Sequence, residues 1–373
     1  MTFPVVNRCM TDMKYLLLLV FIASGLTVSA QDKEKSWYKM LAGSIDKYPV
    51  TMHLHKAGNS YTGYYSYNNQ RMPIAISGND TTEKGRITLM AFAGDDSNEF
   101  FSFSIINGKA AGSRKNKEGT RVLNFAAVEK KMPVQFTHIY TSAEKKLRPA
   151  MKESPVASIE LASVWPIGNS EADELVKEQV RAVFIEQKSK EDIGKIFLRA
   201  RDEFFRTYQE DNKEASDSDL VEYSHAYQYS YNQNLEIRDY HKDLLNLCAS
   251  YYSYSGGAHG MYASSYYVLD LQKKKRVMLI DLFDEKGLKA LNQLLEKHYR
   301  SKYGVSPTET LEEGGLFENS ISANENFYIT GKGIGFVYHP YEIASYAMGE
   351  IELFIPFKEI TTHLKPSAQA YWK

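Results

Sequence analysis

The chain is poor in cysteine and carries almost no net charge. Its two cysteines are Cys9 and Cys248, and Cys9 lies in a segment that we expect to be removed from the mature protein. The one remaining thiol cannot form an internal disulfide, so the core must be held together by packing. Cys248 follows an apolar run, which predicts a buried and inert thiol. The formal net charge of −1 gives no electrostatic reason to expect nucleic acid or an anionic membrane as a partner.

Long apolar runs are also absent after Gln31. Before it, Lys14 precedes an apolar run from Tyr15 to Val28 that ends in small residues. A basic residue, an apolar stretch and small residues in this order are typical of a secretory signal peptide. The run is shorter than the roughly 20 residues that span a bilayer. We expect a signal peptide at residues 1–30, a periplasmic or secreted location, and no integral membrane segment after cleavage.

The sequence lacks the common motifs of nucleophilic and nucleotide-dependent catalysis. No Gly-x-Ser-x-Gly occurs, so the nucleophile elbow of a serine hydrolase is not indicated. The glycine-rich run from Gly331 to Gly335 precedes a strand-like segment rather than a helix, and we interpret it as a β-turn. No acidic residue is singled out by its context as part of a glycosidase pair. We therefore expect no cofactor and favour binding over catalysis, with an enzyme kept open.

Two histidines raise the question of a metal site. His53 and His55 flank Leu54, and on a strand both imidazoles point to the same side. That spacing can supply two zinc ligands, but a zinc site needs a third and usually a fourth. No partner motif is evident in the sequence. We interpret the pair as part of an exposed polar strand face and expect no bound metal.

Residues 31–142 have the pattern of an all-β module. The segment Val50–Leu54 alternates apolar and polar residues, which is typical of a half-buried strand. Further strand-like segments follow at regular spacing, separated by turn signals such as the hairpin sequence Asn107-Gly108. Short strands in this arrangement predict a small barrel or sandwich. The charged, proline-flanked segment 143–155 is predicted to be a linker.

Residues 156–373 mix helical and strand-like patterns. Ser170 and Asp173 can form a capping box before one helix, and Gly304 is suited to end a later one. The run Tyr223–Tyr231 alternates as a strand does. Antiparallel hairpins interspersed with helices indicate an α+β domain. The predicted fold class is α+β, with an N-terminal all-β barrel or sandwich and then an α+β domain of antiparallel sheet with packed helices.

Tyrosine is abundant and unevenly placed. Of 27 tyrosines, eleven lie between Tyr223 and Tyr267. A tyrosine offers a rigid apolar ring and a hydroxyl, which suits sugar rings and protein partners alike. The other interpretation is a ladder of rings that packs beneath helices, and we favour it for Tyr227, Tyr229 and Tyr231. For the tyrosines close to two adjacent glycines, both interpretations stay open.

Two segments of the chain form a pattern that can be assigned to a family. The first is Tyr251-Tyr252-Ser253-Tyr254-Ser255-Gly256-Gly257-Ala258-His259-Gly260, and the second runs from His339 through Pro340-Tyr341-Glu342 to Gly349. The pair resembles the family named domain of unknown function 3298 (DUF3298), which usually follows a segment of the 4163 type. The resemblance covers roughly residues 150–365.

The resemblance implies where the protein works. The DUF3298 family includes the extracytoplasmic part of lysozyme-sensing anti-sigma factors and a segment beside the catalytic domain of some peptidoglycan deacetylases. It implies a capacity to bind a partner at the cell envelope, either a lysozyme-like protein or a peptidoglycan fragment. The acid and histidine signatures of the deacetylase catalytic domain are missing from this sequence, so the resemblance implies no deacetylase activity.

The candidate binding residues come from the two segments, which we expect to be neighbours in space. These residues are Tyr252, Tyr254, Gly256, Gly257, His259, Tyr262, Tyr338, Tyr341 and Glu342. Within this set, Tyr254, His259, Tyr338, Tyr341 and Glu342 are expected to converge on one cleft. The alternative for the glycines and the histidine is a tight corner whose only role is structural.

Three functions remain open from the sequence. The leading one is an exported, envelope-associated binding protein that recognises a lysozyme-like protein or peptidoglycan. The second is an enzyme, or an enzyme accessory, that acts on cell-envelope glycans. The third is a β module that holds a small apolar ligand as lipocalin-like barrels do, and a barrel interior filled by side chains would count against it.

Overall fold

A computed structural model describes residues 36–92 and 98–372 of the chain. The predicted signal peptide at residues 1–30, including Cys9, lies outside the described residues. No helix in the described part combines the length and the apolar composition needed to cross a bilayer. The described chain forms a barrel followed by two sheets and several helices, which confirms the predicted α+β class.

The N-terminal part is a closed barrel of antiparallel strands. The strands are β1 (Ser36–Ile45), β2 (Tyr48–Ala57), β3 (Ser60–Tyr67), β4 (Ile74–Asp80), β5 (Arg86–Ala91), β6 (Glu99–Ile106), β7 (Lys109–Asn116) and β8 (Val122–Lys130). The barrel closes because β1 pairs with β2 on one side and with β8 on the other. The predicted hairpin joins β6 to β7 through Asn107 and Gly108, which both have positive φ. Of the two predicted forms, the barrel is confirmed.

Side chains fill the interior of the barrel. The apolar members of Val50–Leu54 face inward as predicted and are buried. The ring of Phe125 packs edge-on against Phe101 and Phe103, with centroid separations of 5.3 and 5.0 Å. An eight-stranded barrel leaves an interior just wide enough for side chains. This packed core counts against the hypothesis that the barrel holds a small apolar ligand.

A six-stranded sheet follows the barrel. Its strands are β9 (Phe136–Lys146), β10 (Val156–Pro166), β11 (Tyr229–His241), β12 (Leu244–Ser255), β13 (Met261–Asp270) and β14 (Lys275–Arg276), in the spatial order β14-β13-β12-β11-β10-β9. Neighbouring strands are antiparallel except β10 and β11, which run parallel and are joined by a helical crossover. The chain leaves the barrel at residues 131–135, so the start of the expected linker 143–155 belongs to β9.

Helices cover one face of this sheet. They are α1 (Glu171–Phe184), α2 (Ile193–Asp211) and α3 (Asp217–Glu222). The predicted capping box begins α1, because the Ser170 hydroxyl accepts from the Asp173 N–H and the Asp173 carboxylate accepts from the Ser170 N–H. Apolar side chains of α1 and α2 form one core with β10, β11 and β12. Tyr229 and Tyr231 pack against this core, as the packing interpretation of the tyrosines predicts.

The predicted strand Tyr223–Tyr231 is wrong over its first half. Ser224–Tyr227 form a 3₁₀ helix, and β11 begins only at Tyr229. The physical reason is local, because α3 ends directly before this segment and the Tyr223 N–H donates to Asp219 O at 2.8 Å. These turn hydrogen bonds continue the helical conformation although the side chains alternate as in a strand.

A three-stranded sheet and further helices complete the fold. They are α4 (Leu279–Leu282), α5 (Glu285–Tyr303), β15 (Phe327–Thr330), β16 (Gly333–Tyr338), β17 (Ile351–Pro356) and α6 (Phe357–Ile360). The helix α5 ends at Gly304, whose φ of 70° makes it the predicted left-handed cap. The glycine-rich run joins β15 to β16 in a hairpin, which confirms its interpretation as a β-turn.

The barrel and the three-stranded sheet share the other face of the six-stranded sheet. The buried side chain of Arg238 on β11 contacts both of them. Its guanidinium carbon lies 3.5 Å from the ring centroid of Tyr328 on β15, 4.9 Å from that of Tyr266 on β13 and 5.7 Å from that of Tyr64 on β3. Burying an arginine removes its hydration at a cost of several kcal/mol. The three ring faces offset part of that cost through cation–π attraction.

The interpretation of His53 and His55 as an exposed polar face is wrong. Both side chains point away from the barrel interior, but this outer face packs against β9 and β11, and they are only 2% and 1% exposed. The Tyr38 hydroxyl lies 2.8 Å from His53 Nδ1, and the Ile237 N–H donates to His55 Nε2 at 3.1 Å. A third buried imidazole, His138 on β9, has its ring centroid 5.8 Å from that of His55.

Burial keeps these three imidazoles neutral. It lowers the pKa of His53 and of His55 to about 3, and it lowers the pKa of His138 well below the ordinary value. In an unfolded chain each histidine titrates near 6.5. The unfolded state therefore binds more protons, so the stability that depends on these groups is complete above about pH 6.5 and declines as the pH falls towards the folded pKa values.

Cys248 on β12 is buried and free, as the sequence predicts. Burial raises the pKa of its thiol to about 11. A thiol with that pKa stays protonated near neutral pH, and the protonated form is neither a good nucleophile nor a metal ligand.

We predict that His138→Gln flattens the pH dependence of the free energy of unfolding. The variant removes one buried imidazole, so the slope between about pH 6 and 5 should fall by up to about 1.4 kcal/mol per pH unit. Urea unfolding of the variant and the parent across this pH range measures the difference.

The matched control is His225→Gln, because His225 is exposed. This variant should keep the parent slope. Burial raises the pKa of Glu236 and raises that of Asp239 to about 6, and these carboxyls act in the opposite direction. The comparison between variants cancels their contribution. Equal slopes for the parent and His138→Gln would contradict the assignment.

Candidate functional site

The two sequence segments meet at the end of the β12–β13 hairpin. The Tyr346 hydroxyl donates to Gly260 O at 2.8 Å. The ring of His259 stacks on that of Tyr346 with a centroid separation of 3.8 Å and an interplanar angle of 19°. The expectation that the two segments are neighbours in space is therefore confirmed.

Around Tyr346 lies a group of aromatic side chains that we call the tyrosine cluster: Tyr252, His259, Tyr262, Tyr341 and Tyr346. The ring centroid of Tyr346 is 5.8 Å from that of Tyr262 and 5.7 Å from that of Tyr341. The ring of Tyr252 lies against Gly260, where an added Cβ would come within 2.6 Å of it. Tyr252 and Tyr341 keep 40% and 42% of their surface exposed. The cluster therefore presents ring faces to solvent while its inner contacts fix their positions.

Polar contacts between β13 and the loops beside it hold the tyrosine cluster in place. The Glu350 carboxylate accepts from the backbone N–H and the hydroxyl of Ser264. Asn326 donates to Ser264 O at 2.9 Å and accepts from the Tyr266 N–H at 2.7 Å. His339 Nε2 lies 3.0 Å from Ser264 O. These contacts fix the loop that carries Tyr341 and Tyr346 to the edge of the hairpin.

Three of the predicted site residues contact the segment before β11 or each other rather than the tyrosine cluster. The Tyr254 hydroxyl donates to Gly257 O at 3.0 Å and points towards the 3₁₀ helix before β11. Gly256 and Gly257 have φ values of 83° and 93°, so the chain turns through conformations that favour glycine. A Cβ on Gly256 would lie 2.5 Å from Ala226 O. These residues make the tight corner of the structural interpretation.

Two further predicted residues have structural partners. Tyr338 lies in the core rather than on the expected cleft, with 1% exposure and its hydroxyl donating to Ser322 O at 2.9 Å. It is buried because the whole strand β16 is the centre of the three-stranded sheet. The exposed Glu342 accepts from the His339 N–H at 2.8 Å and from Asn324 at 2.9 Å. The hydrogen bonds of Glu342 thus come from His339 and Asn324 rather than from His259.

A groove runs between the barrel and the six-stranded sheet, and we call it the barrel–sheet groove. It has a volume of about 320 Å³. Its lining comprises Ala57, Ser60, Thr62, Tyr140, Glu160, Ala162, Asn232, Gln233, Asn234, Ser250, Tyr251 and Tyr252. Tyr252 belongs to both the groove and the tyrosine cluster, so the two surfaces are continuous.

Sequence reasoning missed Tyr346 and most of the groove. A signal for the groove was present in β11, where Asn232, Asn234, Glu236 and Arg238 alternate with residues of the helix-covered core. Such a polar stripe shows that a strand has a second, non-apolar face. It does not show which other segment packs on that face, and this decides whether a groove forms.

Other pockets have a less distinctive lining. One of about 540 Å³ lies beneath the loop between α1 and α2 and is lined by residues of that loop and of α1, many of them charged. Within residues 36–92 and 98–372, no three His, Cys, Asp or Glu side chains converge as a metal-ligand set. The tyrosine cluster and the barrel–sheet groove are therefore the two candidate ligand-binding surfaces.

Two family models match the part of the chain that follows the barrel. The model described as "Protein of unknown function (DUF3298)" matches residues 280–358, and the model described as "Deacetylase PdaC" matches residues 158–262. The tyrosine cluster takes residues from both matched segments. No curated protein matches the chain. The resemblance to the DUF3298 family is confirmed.

Solved structures of DUF3298 family proteins are similar to part of this chain. A crystal structure of a DUF3298 family member from Bacteroides fragilis is 23% identical, covers 64% of this chain and 96% of its own, and gives a TM-score of 0.55. A DUF3298 family protein from Pseudomonas aeruginosa is 17% identical and covers 64% of this chain and 97% of its own, with a TM-score of 0.45. The similarity to the first protein shows a common fold.

We predict that the two adjacent glycines differ in their tolerance of alanine. Gly257→Ala should cost about 1 kcal/mol, because an alanine is strained at positive φ and the added Cβ meets nothing within 4 Å. Gly256→Ala should cost more, because its Cβ also collides with the Ala226 carbonyl. Urea unfolding of both variants measures the difference, and equal losses would show that the corner is not packed as described.

Proposed function

We propose, from the resemblance of residues 158–358 to the DUF3298 and PdaC families, that this chain is a cell-envelope binding protein that recognises a lysozyme-like protein through its tyrosine cluster. The family matches support a protein related to the cell envelope. The lysozyme-like partner is the one implied by the resemblance to the extracytoplasmic part of lysozyme-sensing anti-sigma factors. The observation that carries the proposal is the group of exposed tyrosine rings held across both family segments.

The tyrosine cluster has the properties of a protein-binding surface. Tyrosine supplies a large contact area with few rotatable bonds, so little conformational entropy is lost when it binds. Stacking on Tyr346 and the hydrogen bond to Gly260 O order the cluster before any partner arrives. Ordering in advance lowers the entropic cost of association. The rings of Tyr252 and Tyr341 are exposed enough to be buried by a partner.

The geometry supports binding more than acid–base catalysis. His259 Nδ1 lies 3.0 Å from the adjacent Gly260 O, and its ring is stacked on Tyr346. The Glu342 carboxylate is engaged by His339 and Asn324. A histidine and an acid that act together in catalysis need to share a hydrogen bond or a reacting proton. The contacts of His259 are with Gly260 and Tyr346, and those of Glu342 are with His339 and Asn324, so the two residues have different partners.

We predict that Tyr341→Ala and Tyr252→Ala each weaken the binding of a lysozyme by about tenfold or more, because each removes an aromatic anchor from the centre of the contact. Isothermal titration of the mature chain with c-type lysozyme measures the dissociation constant. Tyr223→Ala is the matched control, because Tyr223 is 56% exposed and lies outside the cluster.

Two results would overturn this proposal. One is an equal loss of affinity in the Tyr223→Ala control, which would mean that the cluster is not the contact. The other is the absence of any lysozyme binding by the parent chain. If the parent instead sediments with insoluble peptidoglycan and the Tyr341→Ala variant does not, the cluster binds peptidoglycan and the partner proposed here is wrong.

A further inference from the structure

Polar side chains form the floor of the barrel–sheet groove, and hydrogen bonds between them fix their orientation. Asn234 on β11 donates from Nδ2 to a Glu236 carboxylate oxygen at 2.6 Å, and the Thr62 hydroxyl of the barrel donates to the same carboxylate. Because Glu236 accepts from the amide nitrogen of Asn234, the amide oxygen is turned the other way. That Oδ1 atom is buried and has no hydrogen-bond partner in the described part of the chain. A buried acceptor without a partner lowers the stability of the folded protein unless a hydrogen-bond donor reaches it.

The walls of the groove combine hydroxyls, amides and aromatic rings. Asn232 adds a further amide from β11, and Ser250 adds a hydroxyl from β12. Tyr140 lies on β9 with its ring close to Gly58 of the barrel turn, and Tyr252 lines the groove from β12. Aromatic faces combined with several neutral hydrogen-bonding groups match the alternating apolar and hydroxyl faces of a sugar ring.

The charge of the groove argues against an anionic ligand. Among its lining residues the only charged side chain is the carboxylate of Glu160, and Glu236 adds a second acidic group beneath Asn234. Neither lysine nor arginine is among the residues that line it. Phosphate and carboxylate ligands are recognised by cationic side chains or by helix N-termini. A neutral ligand fits this lining better.

The backbone around the groove argues against an extended peptide. The floor is built from β10, β11 and β12, and each of these strands is paired on both sides. A peptide that adds to a sheet needs an unpaired edge strand. The groove offers side-chain groups instead of free backbone groups.

We propose that the barrel–sheet groove binds a neutral oligosaccharide, with the amides of Asn232 and Asn234 bonded to sugar hydroxyls and the rings of Tyr140 and Tyr252 against the sugar faces. The volume of about 320 Å³ lies at the lower end of the range for small-ligand sites. A groove of this volume takes a short stretch of a glycan. This inference goes beyond the proposed function, because the class of ligand is different and the groove shares only Tyr252 with the tyrosine cluster.

The test uses short, neutral oligomers of N-acetylglucosamine and of β-1,4-linked glucose as probes. Titration of the full mature chain, followed by NMR or calorimetry, gives the dissociation constants. Asn232→Ala removes an exposed side chain from the groove, and Tyr140→Ala removes one aromatic wall. Each variant should weaken binding of at least one probe by about fivefold to tenfold, the loss expected for one hydrogen bond or one ring contact.

Matched controls separate the groove from the rest of the surface. Gln187→Ala removes an exposed amide from the loop between α1 and α2, and Tyr48→Ala removes a ring that is 43% exposed on the barrel. Both should keep the parent affinity for the oligosaccharides. The cluster variant Tyr341→Ala should also keep it, whereas the groove variants Asn232→Ala and Tyr140→Ala should keep the affinity for lysozyme.

Each part of this experiment has a result that would overturn the inference. Failure of the parent to bind either neutral oligomer at millimolar concentration refutes it. An equal loss in the groove variants and in their controls refutes the location. Binding that requires an anionic sugar refutes the assigned class of ligand. Binding that is abolished by Tyr341→Ala but not by Asn232→Ala refutes the assigned site. Because the Asn232 side chain is exposed and makes no hydrogen bond within residues 36–92 and 98–372, its variant is expected to fold even if the Tyr140 variant does not.

Discussion

The constraint on which the structure depends is that the six-stranded sheet is covered on both faces. Helices occupy one face with an apolar core, and the barrel and the three-stranded sheet divide the other. A strand covered in this way cannot send its polar side chains to water. Glu236 and Arg238 of β11 must therefore find partners inside the protein. Glu236 accepts from Thr62 of the barrel and from Asn234 of its own strand, and Arg238 lies against the rings of Tyr64 and Tyr328.

This constraint explains why the contact between the barrel and the sheet is polar. Three neutral imidazoles and one arginine lie in it, where an interface between preformed modules would more often be closed by apolar side chains. Within the described residues, the barrel is thus part of one compact unit with the sheets. The same contact makes the stability of this unit sensitive to acid, since each buried imidazole excludes a proton that the unfolded chain accepts.

The candidate ligand surfaces lie where these covering layers end. The barrel–sheet groove follows the edge of the barrel, and the tyrosine cluster follows the open end of the β12–β13 hairpin. Tyr252 belongs to both, which makes them one continuous surface with two chemistries. Rigid ring faces dominate one end and neutral hydrogen-bonding groups dominate the other. In the two proposals, a protein partner and a glycan bind side by side on this surface.

Local patterns in the sequence determined the elements whose causes are local. The capping box at Ser170, the left-handed cap at Gly304 and the inward face of Val50–Leu54 depend on a few neighbouring residues, so they could be predicted. Only the tertiary structure decided the environment of His53 and His55 and the central place of Tyr346. An outward-facing side chain becomes buried, and a ring becomes the centre of a cluster, only when a segment distant in sequence packs on it. Periodicity within one strand carries no information about that distant segment.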